Sequence, residues 1–160
     1  MKWCRFKAGE KVVYGIIEGD NVIEVEGSPF GSYTRTSNSQ PLSSVRLEVP
    51  VIPPTFYAAG INYPEHVTWA AKQVGTQPNL PKQADVGYRA ANALIAHDET
   101  IIIPKDATEA VQYEGELVAV IGKECKNVSE QEALDYVLGY TIGNDVSERT
   151  WQRGDRTLWR

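Results

Sequence analysis

The sequence has few cysteines and no arrangement that would make them structural. Its 160 residues include only Cys4 and Cys125, which lie far apart in the chain. This spacing fits neither a disulfide framework nor a cysteine-based zinc site. We therefore expect free, buried thiols, as in a protein of the reducing cytoplasm.

The sequence also lacks an excess of basic residues, a long apolar run and a start that resembles a signal peptide. The net charge is −5 and the pI is near 5.1, and no stripe of Lys or Arg offers a surface for nucleic acid. No apolar run approaches the ~20 residues of a membrane span, and the first residues lack the apolar core of a signal peptide. We expect a cytoplasmic protein that binds neither nucleic acid nor a membrane.

The composition that remains, 42% apolar and 23% charged, is typical of globular proteins. Two β-forming runs, residues 12–17 and 22–25, flank a turn-forming Gly-Asp-Asn and predict a hairpin. The polar residues 31–44 predict a loop, and prolines follow at positions 50, 53 and 54. We expect a small β-domain at residues 1–54 and a second domain at residues 55–160.

Short strands alternate with short helices in residues 55–160, which indicates an α+β protein rather than regular βαβ winding. One helix is predicted between Asn62, a possible cap, and Gly75, a typical stop. Ser129 and Glu132 form a capping-box pattern that predicts another helix through Leu138. The other predicted elements are strands at residues 93–96, 101–103, 113–122 and 140–142, and a short helix at residues 147–153.

Three carboxylates are the clearest candidates for chemistry. Residues i and i+2 of a strand point to the same face, so Glu114 and Glu116 project together, with Gly115 on the other side, where it leaves room for a neighbouring element. Asp145 follows a different predicted strand. Adjacent like charges are unfavourable in a sheet unless a cation binds them, and carboxylates suit Mg²⁺ or Mn²⁺. The spacing alone leaves two interpretations open, a solvated strand face and a metal site.

Four stretches together resemble the fumarylacetoacetate hydrolase family, in its 2-hydroxyhepta-2,4-diene-1,7-dioate isomerase and acylpyruvate hydrolase-like branch. They occur in the family's order and spacing, and the first fifty residues resemble the small β-domain that many members carry. The resemblance implies a β-rich mixed sheet of the β-roll type with short helices, and a catalytic domain of which this chain holds the first part. The stretches are Gly60–His66, Tyr113–Gly122, Asp135–Tyr140 and Asn144–Arg149.

The resemblance also implies roles for particular residues. Glu114, Glu116 and Asp145 match the family's ligands for Mg²⁺ or Mn²⁺, and His66 matches its general base. Three side chains match positions that bind the substrate, where an arginine can hold a carboxylate bidentately. These are Arg89, where many members have a lysine, together with Arg149 and Gln152, whose i, i+3 spacing predicts that they share one face of a short helix.

The implied function is that of a metal-dependent enzyme of aromatic or oxo-acid catabolism. It would act on a small 2-oxo acid or β-diketo acid through a metal-chelated enolate, in C–C hydrolysis, decarboxylation or isomerisation. The resemblance further implies a homodimer at full length.

Two departures from the family pattern narrow this expectation. Hydrolytic members commonly carry a glutamate three residues after the histidine, where this chain has Trp69, which disfavours a water-activating hydrolase. The family's later lysine-bearing motif and further strands do not occur in these residues, so we expect an open edge at the strand of residues 117–121. The alternatives to a metal-dependent enzyme are a non-catalytic family member that binds metal or ligand, and an inactive or purely structural fragment.

Overall fold

The computed structural model describes residues 1–155, and short antiparallel strands dominate it, as expected for a β-rich α+β protein. Two α-helices, α1 (Pro64–Val74) and α2 (Arg149–Gly154), are described, with 3-10 turns at Leu42–Ser44, Ala91–Ala93 and Ala133–Tyr136. The strands are β1 (Lys2–Ala8), β2 (Lys11–Glu18), β3 (Asn21–Gly27), β4 (Tyr33–Pro41), β5 (Leu47–Glu48), β6 (Phe56–Ala59), β7 (Val86–Arg89), β8 (Val111–Gln112), β9 (Gly115–Ile121), β10 (Val137–Asn144) and β11 (Ser147–Glu148).

A five-stranded antiparallel sheet, ordered β4-β3-β2-β1-β5, forms the N-terminal part. The predicted hairpin is confirmed, because β2 and β3 pair from Tyr14 opposite Val25 to the turn. The core of the sheet is a buried cluster of Cys4, Phe6 and Val22. These side chains alternate along their strands, so a single face of the sheet is apolar.

The loop predicted at residues 31–44 is wrong over most of its length. Residues 33–41 form β4, which pairs with β3 and is largely exposed. Its polar side chains suit an edge strand, whose outer hydrogen-bonding groups face water, and the β-branched Thr34 and Thr36 favour an extended backbone. The polar composition indicated a loop because composition carries no information about the neighbouring strand with which a segment pairs.

Strands β9 and β10 form a second, two-stranded sheet in the described part of the chain. The strand predicted at residues 113–122 is thus confirmed, and no further strand pairs with its outer edge within residues 1–155. Large apolar side chains cover the outer face of this sheet, with Leu117 65% and Ile142 86% exposed. They face each other in the register.

The helix predicted after the Ser129–Glu132 box is much shorter than expected. Ser129 does donate its hydroxyl to the Glu132 carboxylate at 2.6 Å, but the helical segment is only a 3-10 turn at Ala133–Tyr136. Val137 pairs with Ile121 in the sheet, across a register irregularity before Gly139. Sheet hydrogen bonds therefore replace the last helical turn.

The strands predicted at residues 93–96 and 101–103 are also absent from the described structure. Ala91–Ala93 forms a 3-10 turn, and the three isoleucines 101–103 are irregular and exposed. Short apolar runs of this kind do not distinguish a paired strand from an extended segment.

Helix α1 ends at Gly75 as predicted, but its N-cap is not the predicted residue. Tyr63 is its N-cap, Pro64 occupies the first turn, and Gly75 ends it with a φ of 70°. The Asn62 side chain instead donates to the carbonyl of Gly60 at 2.8 Å. Asn62 therefore stabilises the loop before the helix and does not cap it. Of the helices in residues 1–155, none has the length and apolar character of a membrane span.

Contacts group the chain into two units. Unit 1 comprises residues 1–51 together with residues from 95 onward, and unit 2 comprises residues 52–94. Within unit 1, Arg46 of the N-terminal part forms an ion pair with Glu99. Glu99 also accepts from the backbone N–H of Ala96 at 2.8 Å, and these contacts, led by the Ala96 hydrogen bond, lower the pKa of Glu99.

Candidate metal and oxo-acid site

The pairing of β9 with β10 brings the backbones of the three predicted metal ligands together at one end of the sheet. Gly143 lies opposite Glu116 in the register. One residue beyond the paired segment, the backbone N–H of Asp145 donates to the carbonyl of Glu114 at 2.9 Å. The three carboxylates thus come from neighbouring positions on two hydrogen-bonded segments of the chain.

Two features of the local sequence support this arrangement. The Asn144 side chain accepts from the backbone N–H of Glu114 at 3.0 Å, which fixes the segment ahead of β9. The absence of a side chain at Gly143 leaves space on the face of Glu116. A Cβ at position 143 would lie 3.0 Å from Val118 Cγ2, which is closer than ordinary van der Waals contact. At Gly115, where room for a neighbouring element was expected, no described atom lies within 4 Å of a Cβ position.

The Glu114 carboxylate is engaged by Arg149. A guanidinium nitrogen of Arg149 lies 2.5 Å from Glu114 Oε1, and both side chains are about one quarter exposed. The same guanidinium donates to Gln112 at 2.9 Å and to Gln152 at 3.0 Å. The predicted proximity of Arg149 and Gln152 on α2 is therefore confirmed, whereas the contact with Glu114 was not foreseen.

Glu148 is a buried acidic residue that sequence reasoning missed. Its carboxylate caps α2 by accepting from the backbone N–H of Trp151 at 2.5 Å, and it also accepts from the Thr108 hydroxyl. Burial disfavours its charge, but the hydrogen bonds from Thr108, Trp151 and Thr150 outweigh this and lower the pKa of Glu148. No signal in the sequence marked this cap, because glutamate is not among the residues preferred at a helix N-cap.

The side chains do not converge as a ready ligand set. Within residues 1–155, no group of three or more His, Cys, Asp or Glu side chains is arranged to hold a metal ion. The direction of Glu114 toward Arg149 is one physical reason. The three carboxylates suit a hard divalent cation, and their backbones lie close together. Their side chains, however, do not point to a common position.

The other predicted site residues belong to unit 2. His66 lies exposed in the first turn of α1, and the ring of Trp69 is 6.0 Å from it, centroid to centroid, at an angle of 48°. Arg89 ends β7, opposite Phe56 in the β6–β7 pair. The rings of Tyr57 and Tyr88 lie 4.9 Å apart on the same pair.

The fold and the carboxylates together define a class, a β-rich α+β protein of short antiparallel strands that carries three carboxylates on two hydrogen-bonded segments. Two family models identify it further. The model described as "Fumarylacetoacetate (FAA) hydrolase C-terminal" matches residues 55–160, and "Rv2993c-like, N-terminal" matches residues 1–50. The chain belongs to the fumarylacetoacetate hydrolase family.

Individual relatives agree with this assignment. "Protein Rv2993c" of Mycobacterium tuberculosis is 35% identical over 97% of this chain and 58% of its own length. The crystal structure of a 5-carboxymethyl-2-hydroxymuconate delta-isomerase from Mycobacterium smegmatis has a TM-score of 0.82 and 36% identity, covering 97% of this chain and 58% of that one. The crystal structure of a 2-hydroxyhepta-2,4-diene-1,7-dioate isomerase from Mycobacterium marinum has a TM-score of 0.80 and 33% identity, covering 97% of this chain and 57% of that one, which confirms the predicted branch of the family.

A more distant structure shares the fold. Maleylpyruvate hydrolase from Sphingobium, solved with manganese(II) and pyruvate, is 23% identical with a TM-score of 0.66, over 93% of this chain and 60% of that one. The names of other matched relatives include a hydrolase and a bifunctional isomerase/decarboxylase. The chain spans 37% to 58% of the length of the first curated relatives.

Proposed function

We propose that this chain forms part of a divalent-metal-dependent enzyme that acts on a 2-oxo acid or β-diketo acid. The observation that carries the proposal is the hydrogen bond from Asp145 N–H to the Glu114 carbonyl, with Glu116 two residues along β9. It holds the backbones of Glu114 and Asp145 side by side, which supports a cation shared by the three carboxylates once their side chains turn toward it. Family membership and the metal-bound distant relative support the same chemistry.

The donor set favours Mg²⁺ or Mn²⁺, because both are hard ions with oxygen ligands. When bound, such a cation would stabilise the negative charge of an enolate. Glu114, Glu116 and Asp145 would hold it. Their combined charge of −3 exceeds that of the ion, so a positive side chain beside them is electrostatically favourable before substrate arrives.

Arg149 is suited to bind a carboxylate of the substrate. Its guanidinium is held by Gln112 and Gln152, so little freedom remains to be lost when an anion binds. Arg89 is proposed as a second substrate contact and His66 as the group that moves a proton. These last two roles rest on the family resemblance.

Isomerisation or decarboxylation is favoured over hydrolysis by the residue beside His66. Trp69 occupies the position where hydrolytic relatives commonly have glutamate, and the centroid of its ring lies 6.0 Å from that of the His66 imidazole. An indole ring cannot accept the proton of an imidazole or orient it as a carboxylate does. A histidine without that partner can still exchange a proton with carbon, but it is a weaker activator of water.

The first test is Mn²⁺ binding to the 160-residue chain, followed through the electron paramagnetic resonance of free Mn²⁺. We expect the parent to bind Mn²⁺ and Glu116→Gln to weaken binding at least about tenfold, since one charged ligand is lost. Glu26→Gln is the matched control, because Glu26 is an exposed glutamate on β3. Equal binding by the parent and Glu116→Gln, or none in either, would contradict the proposal.

Turnover distinguishes an enzyme from a binding protein. Mg²⁺-dependent loss of oxaloacetate or acylpyruvate absorbance should accompany metal binding. Metal binding without any such loss would instead favour the non-catalytic alternative.

A further inference from the structure

We propose that Arg149 and the divalent cation compete for Glu114, so that metal binding transfers the Arg149 guanidinium from a protein carboxylate to the carboxylate of the substrate. This inference rests on the proposed function and goes beyond it, because it assigns Arg149 a second role as the exchange partner of a metal ligand. The contact that carries it is the 2.5 Å ion pair between Arg149 and Glu114 Oε1.

The ion pair is placed where it must affect the metal. Both side chains are about one quarter exposed, so water screens their attraction less than it screens a surface pair. The oxygen that Arg149 holds belongs to one of the three proposed ligands. A cation that takes this oxygen of Glu114 displaces the guanidinium from it.

Arg149 is held in place independently of Glu114. Its backbone N–H donates to the Ala110 carbonyl at 3.0 Å, and its side chain donates to Gln112 and Gln152. If Glu114 turns toward a cation, these contacts keep the guanidinium beside the site. The donor released from Glu114 would then be available to a carboxylate of the oxo acid, which would bring a compensating negative charge.

Reciprocity follows from this geometry. A substrate carboxylate that binds Arg149 withdraws it from Glu114 and thereby strengthens metal binding, and the metal strengthens substrate binding to the same extent. The ion pair also offsets the mutual repulsion of the three carboxylates when neither ligand is bound.

The test is a double-mutant cycle on Mn²⁺ affinity in the full 160-residue chain. Arg149→Gln should tighten Mn²⁺ binding about tenfold, because the competing cation is gone. In a Glu114→Gln background the same substitution should change the affinity less than about twofold, since the charged partner of Arg149 is already gone. Arg153→Gln, on the exposed side of the same helix, controls for the general loss of positive charge and should also change the affinity less than about twofold.

Two outcomes separate the inference from the proposed function. If Glu116→Gln weakens Mn²⁺ binding but Arg149→Gln does not tighten it, the competition is overturned and the metal site stands. If the parent binds no Mn²⁺, the proposed function fails and the competition fails with it.

A measurement on the parent protein guards against a variant that does not fold. The side-chain ¹⁵N resonance of Arg149 should shift on titration with Mg²⁺, with the same midpoint as metal binding. Saturation with Mg²⁺ without any shift would overturn the competition.

Discussion

Glu114 is the residue at which the two parts of the proposed site meet. Its backbone is fixed by Asn144 and Asp145, while its carboxylate contacts Arg149. The first set includes Asp145, a proposed metal ligand, and the second is with Arg149, a proposed substrate contact. A change at Glu114 should therefore affect metal and substrate together, whereas a change at Gln152 should affect mainly the substrate.

The sequence predicted the positions of these residues better than their contacts. The i, i+2 spacing placed Glu114 and Glu116 on one side, and the i, i+3 spacing placed Arg149 beside Gln152, because both follow from local backbone geometry. The pairing of Arg149 with Glu114 depends on where α2 lies relative to the residues before β9, which no local pattern encodes. The roles of all these residues stay predictions.

The two cysteines offer a test at the residue scale, and here one expectation is wrong. Cys4 is buried as predicted, but Cys125 is exposed. Burial raises the pKa of Cys4 to about 11 from an ordinary value of 9.0, so its reactive thiolate is scarce at neutral pH. We expect Ellman's reagent to modify one thiol in the folded protein and the second only in urea.

The control for this prediction is Cys125→Ser, which should show no rapidly reacting thiol before unfolding. A fast reaction in that variant would contradict the burial of Cys4. The sign of the pH dependence also follows. The folded state holds the Cys4 proton more tightly than the unfolded chain does, so folding stability falls as the pH rises from 9 through about 11.

At the scale of elements, strong local signals predicted well and pairing partners decided the rest. The β2–β3 hairpin and α1 follow from turn and stop residues that act within a few positions. The sequence did not predict β4 or the start of β10. The polar segment that forms β4 and the helix-like segment that begins β10 are extended because each pairs with a neighbouring strand. Neighbours of this kind are distant in sequence or fixed by bulges, which composition does not report.

The N-terminal sheet provides the stability test. Phe6 is fully buried at 0% exposure in the cluster with Cys4 and Val22, whereas Phe30 is 41% exposed. Phe6→Ala should lower the free energy of unfolding by about 3–5 kcal/mol, through lost burial and the cavity it leaves. Phe30→Ala should change it by less than about 0.5 kcal/mol.

Urea unfolding followed by tryptophan fluorescence measures both variants. Similar losses of unfolding free energy for the two substitutions would show that Phe6 is not the core of this sheet.

On the scale of the whole molecule, the chain spans 58% of the length of "Protein Rv2993c". Apolar side chains on the outer face of the β9–β10 sheet, such as Leu117 and Ile142, are exposed within the described residues. The fold class was predictable because the proportion of strand and helix signals and the family resemblance agreed. The substrate was not, because it depends on side chains from several elements and, in the relatives, on chain beyond the matched length.

The most direct test of the account is the position of a bound metal. Crystals of the chain grown with Mn²⁺ and measured near the manganese absorption edge should show an anomalous peak about 2.1 Å from carboxylate oxygens of Glu114, Glu116 and Asp145, with Glu114 turned away from Arg149. A manganese peak at other residues, or none while Glu114 still contacts Arg149 at saturating Mn²⁺, would contradict the central claim.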